Sequence, residues 1–400
     1  RPDGTVLGSV GLGGTSSGDH AYNWDGRVGG ARVPDGVYVL QLQGIRGSFA
    51  YNAPSVSPVS GAGIATFGVV VSAAAPTSVL AFSRPVSPTS AHTLTWKLTF
   101  GGPVAGLRST DFARSGSATG CVVGTPAGSG ANWTVTLTGC SAGTVTLGLQ
   151  ARAVVDAVRN WGPTSPVNAQ TLFIDRTAPT AAAPKMGLRI GASLASAVAN
   201  TGLLANLAWS AIDHGGAGVA SYDLRKSVDG ATFANFASAT AATGIALALP
   251  PGHTYQFEVR ARDKAGNVGG WVVGPVIHAY LPQESYAGPV WKGTWTSASL
   301  AQCSGGSVRF ATAAGAGISY SFTGRAIGWV TTLGPDRGSA KVYVDGVLVT
   351  TVDLHATGTT YRRVAFAKSW SSSATHMLRI VVVGTTGHPR VDVDAFEVLR

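Results

Sequence analysis

The chain closes on RVDVDAFEVLR, in which Asp392 and Asp394 alternate with Val391, Val393 and Ala395. In an extended strand that spacing puts both carboxylates on one face. Glu is scarce, with only Glu258, Glu284 and Glu397 in 400 residues. Asp392 and Asp394 together with Glu284 are therefore the nearest thing to a carboxylate set. Oxygen ligands of this kind suit Ca²⁺. The bland alternative is a pair of solvated or hydrogen-bonded Asp residues at a strand start.

Other chemistry is weakly signalled. GTSSG at 14–18 and GCSAG at 139–143 match the Gly-x-Ser-x-Gly string, but neither lies in the strand–elbow–helix context a nucleophile needs. No Gly-Lys-Ser/Thr phosphate loop, His-Glu-x-x-His pair or EF-hand loop occurs. A sugar site would combine aromatic rings with polar groups that fix hydroxyls. The candidates near the C-terminus are Trp291, Trp295, Tyr361 and Trp370, with Arg325, Asp336, Arg337, His355 and Arg390. Trp329, alternating inside IGWVTTL, reads as core. The expectation is a chain without catalytic residues.

Composition points to the elements that would carry these side chains. Gly at 54, Pro at 20 and only 12% charged residues favour many short strands joined by turns. The fold class expected is all-β: four tandem β-sandwich modules. Ala-Pro-Thr junctions at 72–78 and 175–181, and a third break at 280–289, divide the chain into about 1–75, 77–178, 180–281 and 285–400. Cys121 and Cys140 bracket a Gly-rich turn and an alternating strand, a layout that suits a disulfide and an oxidising compartment. Cys303 has no evident partner. The net charge of +10 is spread thinly, without a basic helix or an aromatic-basic stripe, which argues against nucleic acid. No run of ~18 apolar residues is present to span a bilayer. The opening RPDGTVLG reads as the start of a mature or trimmed piece of a longer precursor.

Two phrases repeat: LQARAVVDAVRNWGP at 149–163 and VRARDKAGNVGGW at 259–271. Each is an alternating strand followed by Asp, a few residues and Asn, which suits a tight turn. Both read as structural turns. In the second, Tyr255, Phe257, Val259 and Ala261 share one face, and LPPG ahead of Tyr255 suits a tyrosine corner.

On these residues, 203–278 resembles a fibronectin type III domain, with Trp209 and Tyr222 in its core. YNWDGRVGGARVPDGVYVLQL at 22–42 resembles the bacterial immunoglobulin-like domain named for flagellar hook-assembly proteins. Asp25-Gly26 and Asp35-Gly36 are hairpin signals there. Residues 77–178 resemble bacterial Ig-like domains of surface and adhesion proteins. Residues 285–400, with GPDRGSAKVYVDG and RVDVDAFEVL, resemble the galactose-binding-like jelly rolls of secreted hydrolases and adhesins.

The resemblances imply a secreted or cell-surface, monomeric spacer whose last module binds carbohydrate or another surface ligand. They also imply a structural Ca²⁺ between the first and last strands of that module. The alternatives are the non-catalytic tail of a secreted hydrolase whose catalytic domain lies elsewhere, and a purely structural stalk.

Overall fold

In the computed structural model of the chain, residues 5–9, 24–40, 42–46, 49–53, 67–71, 74–84, 86–194 and 202–400 are described. Among them the regular structure is β throughout, apart from two 3₁₀ turns at Ser109–Asp111 and Ser304–Gly306. The protein is an all-β, β-sandwich chain, and it divides into two units, residues 1–176 and 177–400.

In the first unit, Thr93–Phe100 shows why the sequence chooses strands. Leu94, Trp96, Leu98 and Phe100 are buried while the residues between them face outward. That period of two fits a sheet with one wet side. Thr93–Phe100 pairs with Ser78–Arg84 and Asn132–Thr138, and a facing sheet is built on Gly143–Leu149. Leu147, Leu149 and Ile174 close the core from that second sheet. Cys121 and Cys140 form a disulfide. They flank the paired strands Val122–Val123 and Asn132–Thr138, whose register sets Val122 opposite Thr138.

The N-terminal hairpin turns elsewhere than Asp25-Gly26. Arg27–Val28 pairs with Ala31–Arg32 around Gly29 and Gly30, both at positive φ. Two glycines take the left-handed turn at no steric cost, and Asp25 instead accepts the amide of Arg27 at 3.0 Å. Asp35-Gly36 is likewise not a hairpin loop, because Gly36 opens a strand that pairs with Phe67–Val71. Tyr38 donates its hydroxyl to the carbonyl of Pro34, a tyrosine corner besides the one expected at Tyr255.

The second unit is organised by one 11-stranded sheet. Its order begins Ala234–Thr240, Val219–Val228, Thr254–Asp263, Ile277–Tyr280. It continues through Ala395–Leu399, Gly317–Leu333, Thr360–Val382, Ser339–Val344 and Val347–Asp353. The sheet crosses the expected break at 280–289: Ala279 pairs with Leu399, and Tyr280 with Val398. Beyond it Phe396 donates its amide to Pro282, and Glu284 donates to Asp394. The break thus begins against the last strand, with Gln283 bridged to Ala395 and its neighbouring backbone groups paired and not left to water. Ala326 and Leu399 pack into the core built on Trp209, Tyr222 and Phe257. Trp209 and Tyr222 meet edge to face at 6.4 Å, and Tyr255 donates to the carbonyl of Pro250 at 3.0 Å.

The two repeated turns share one hydrogen-bond pattern. Asn267 donates its amide to Asp263 at 2.8 Å and its side-chain NH₂ to the same carboxylate at 2.7 Å. Asn160 does the same to Asp156, at 2.8 and 3.0 Å. Each Asp thus closes a turn, and the repeat is structural.

Candidate functional site

The Gly317–Leu333 strand pairs along its length with Thr360–Val382 and near its end with Ala395–Leu399. Where these strands end, three loops converge. Gly334 donates its amide to Leu354, and Ala356 donates back to Gly334. Gly338 donates to Arg390, and Arg390 donates to Asp336. The loops at 334–338, 354–356 and 385–390 are thereby fastened together, and loops held on a rigid sheet are where binding groups are usefully placed.

These loops bring four of the expected residues into one cluster. Asp392 is fully buried, and its carboxylate receives two guanidinium groups. Arg337 binds Oδ2 through Nε at 2.9 Å and Nη2 at 2.8 Å, and Arg390 binds Oδ1 through Nε at 2.6 Å. Such charge-assisted, multiply bonded pairs are the strong ones. Nη1 of Arg337 reaches on to Asp336. Arg337 is buried (side chain 8% exposed) while the Asp336 side chain is 56% exposed. Burial alone would lower the pKa of Arg337, but Asp392 and Asp336 outweigh it and raise it. For Asp336 the same contest runs the other way: burial would raise its pKa, and the hydrogen bond and charge of Arg337 hold it below the usual carboxylate range. The outcome is an ionised, outward-facing carboxylate fixed from behind. His355 is exposed on the 354–356 loop, its ring 4.5 Å from that of His388 on the 385–390 loop. Arg390 lies over Phe310 at 3.9 Å.

The other expected residues lie apart from this cluster. Trp291 and Trp295 are half-buried and meet at 4.8 Å, with the Arg309 guanidinium 4.9 Å over Trp291. Trp370 is half-buried and stacked on His376 at 3.8 Å, so one of its faces is covered. Tyr361 is half-buried at the start of Thr360–Val382. Trp329 is fully buried and donates Nε1–H to the carbonyl of Asp392 at 3.2 Å. No motif marks His388 or Arg309; only the fold sets them beside His355 and Trp291. Ser141, just past Cys140, is held by Thr119, just ahead of Cys121, and Ser16 lies outside the described residues.

A second group of carboxylates lies at the other expected place. Asp394 accepts the amide of Ser304 at 2.8 Å through Oδ1, and its Oδ2 is buried without a hydrogen-bond partner. Glu284 accepts the hydroxyl of Ser307 through Oε1, and its Oε2 is also buried without a partner. Burial, with a contribution from the nearby Glu284 charge, pushes Asp394 up to about 8. Two unsatisfied buried carboxylate oxygens fit a hard cation. Asp392 does not belong to that set, because both of its oxygens are taken by Arg337 and Arg390. Burial with the Asp394 charge beside it pushes Cys303 up to about 12, so its thiol stays protonated.

No family model matches this chain. Endoglucanase B of Cellulomonas fimi is 37% identical over 160 residues, which is 38% of this chain and 14% of that protein. The A type blood N-acetyl-alpha-D-galactosamine deacetylase of Flavonifractor plautii is 30% identical over 159 residues, 38% of this chain and 20% of that protein. The matched stretch is thus a small part of each curated relative. Among solved structures, domains A168–A170 of titin align over 60% of this chain and 74% of that one, at 13% identity and TM-score 0.34. The fibronectin(III)-like modules of CbhA from Clostridium thermocellum align over 49% and 92%, at 14% identity and TM-score 0.23. No helix among the described residues is long and apolar enough to cross a membrane.

Proposed function

We propose that this chain is a non-catalytic, extracellular part of a carbohydrate-acting protein, and that its C-terminal region binds carbohydrate at the converging loops. One observation carries the reading. Asp336 is an exposed carboxylate held by buried Arg337, which with half-buried Arg390 clamps the buried Asp392, and the His355–His388 pair lies on the two adjoining loops. A preset acceptor of this kind can fix sugar hydroxyls without being ordered at the moment of binding. The partial similarity to an endoglucanase and a sugar deacetylase supports a carbohydrate ligand. The first unit and the fibronectin-like half of the second would act as support.

Glu284 and Asp394 fit a structural Ca²⁺. The cation would supply the positive charge their unpaired oxygens lack, and would stiffen the start and end of the C-terminal sheet. The test of the binding reading is a glycan panel probed with the intact chain and with Asp336→Ala. Saturable binding that the substitution weakens at least ten-fold supports it. Binding that is unchanged by Asp336→Ala places the ligand elsewhere.

A further inference from the structure

The outer face of the C-terminal sheet carries a second surface, separate from the loops. Strand register lays side chains out in rows, since residues directly opposite one another, and residues two apart along a strand, share a face. One row runs Val290, Ser319, Arg379, Tyr343, Leu348 across five strands. The next row on the same face runs Lys292, Gly317, Val381, Lys341, Thr351. The residues between them, Ile318, Ile380 and Val342, are buried in the core behind the sheet.

Lys292, Lys341 and Arg379 are exposed, and Tyr343 is half-buried with the Arg379 guanidinium 5.3 Å from its ring. Neither row contains a carboxylate. Among the described residues none comes within salt-bridge reach of these three cations. The nearest acids on neighbouring positions are engaged: Asp353, at the rim opposite Ser339, accepts the amide of His355, and Asp345, in the adjoining turn, holds His376. Gly317 and Ser319 keep the floor between the cations low. Lys292 and Lys341 are three strand spacings apart, about 14 Å. That is too far for one small anion to bridge, and the face is open, with no pocket wall.

We propose that this face binds an acidic polysaccharide, a chain bearing carboxylates at regular intervals, with Tyr343 stacking on a sugar ring. The proposal rests on the carbohydrate reading above but uses different residues. Charge complementarity selects a polyanion. The single aromatic ring selects a sugar chain over single-stranded nucleic acid, which is held by successive aromatics stacking on successive bases.

The experiment uses the full chain with polygalacturonate, its methyl-esterified form, a neutral glucan and single-stranded DNA, at 50 and 200 mM salt. Polygalacturonate should bind at least ten-fold more tightly than the esterified form and weaken with salt. The doubly substituted Lys341→Gln, Arg379→Gln chain should lose at least ten-fold of that binding with an unchanged melting temperature. Asp336→Ala should leave it intact. Equal binding of the esterified form, equal binding of DNA, or loss caused by Asp336→Ala in place of the face substitutions would overturn the proposal. Binding of neutral glycan without polygalacturonate overturns it while leaving the loop reading standing. Binding of no glycan at all overturns both.

Discussion

Arg337 lies against the buried carboxylate of Asp392 with two of its nitrogens, at 2.9 and 2.8 Å. This pairing ties the 334–338 loop to Val391–Val393 and sets the position of Asp336. Removing one member leaves the other's buried charge with a single remaining partner, Arg390 for Asp392 or Asp336 for Arg337. Arg337→Ala or Asp392→Asn should therefore cost about 3 kcal/mol, the low end for breaking a buried pair, read as a lowered denaturant midpoint. Asp336→Asn, on the exposed side of the same network, should cost no more than about 1 kcal/mol.

Calcium should stabilise the second unit. Adding a chelator to the purified chain should lower its melting temperature, and added Ca²⁺ should restore it, because a ligand of the folded state raises stability by mass action. Asp394→Asn should abolish that Ca²⁺ response, whereas Asp353→Asn should not.

Glu397 sits where the two halves of the second unit join. Its Oε1 accepts the amide of Leu204 at 2.8 Å, and its Oε2 is buried without a partner. Burial pushes it up to about 8. A carboxyl group whose folded pKa is raised keeps its proton while the unfolded chain loses one, so the stability it contributes is present below about pH 4 and lost as pH rises towards 8. In the absence of Ca²⁺, the melting temperature should fall between pH 5 and pH 8. Glu397→Gln, which cannot ionise, should flatten that fall, and Asp394→Asn should flatten it further.

The cysteines should behave unequally. Cys303 is buried, and its thiol is held protonated, so a thiol reagent should not label it in the native chain. Reducing Cys121–Cys140 should destabilise the first unit by roughly 3 kcal/mol and leave unfolding of the second unchanged.

The sequence is informative where the physics is local. Alternation predicted the buried face of Tyr255, Phe257, Val259 and Ala261. Turn chemistry predicted that Asp263 and Asn267 join strands. Asp345-Gly346 joins Ser339–Val344 to Val347–Asp353 as a two-residue turn, and both residues take the positive φ such a turn needs. Register between distant strands was not legible. The pairing of Ala279 with Leu399, which joins strands across an expected module boundary, depends on residues 120 apart. For the same reason Asp392 and Asp394 looked equivalent in sequence, two residues apart on one strand. One is claimed by guanidinium groups from two loops, and the other faces Glu284. The three outer-face cations come from three strands, so no stripe of charge is visible along the chain.

The continuous sheet also decides how the central claim should be tested. Excising residues 285–400 would cut the pairing of Ile277–Tyr280 with Ala395–Leu399, so the intact chain is the right reagent. The measurement is a panel of neutral glycans on that chain, with Asp336→Ala and Arg390→Gln beside it. Binding to defined neutral glycans that both substitutions weaken at least ten-fold, in proteins that remain folded, is the predicted result. A folded chain that binds no neutral glycan, or binds one without regard to Asp336 and Arg390, would contradict the account.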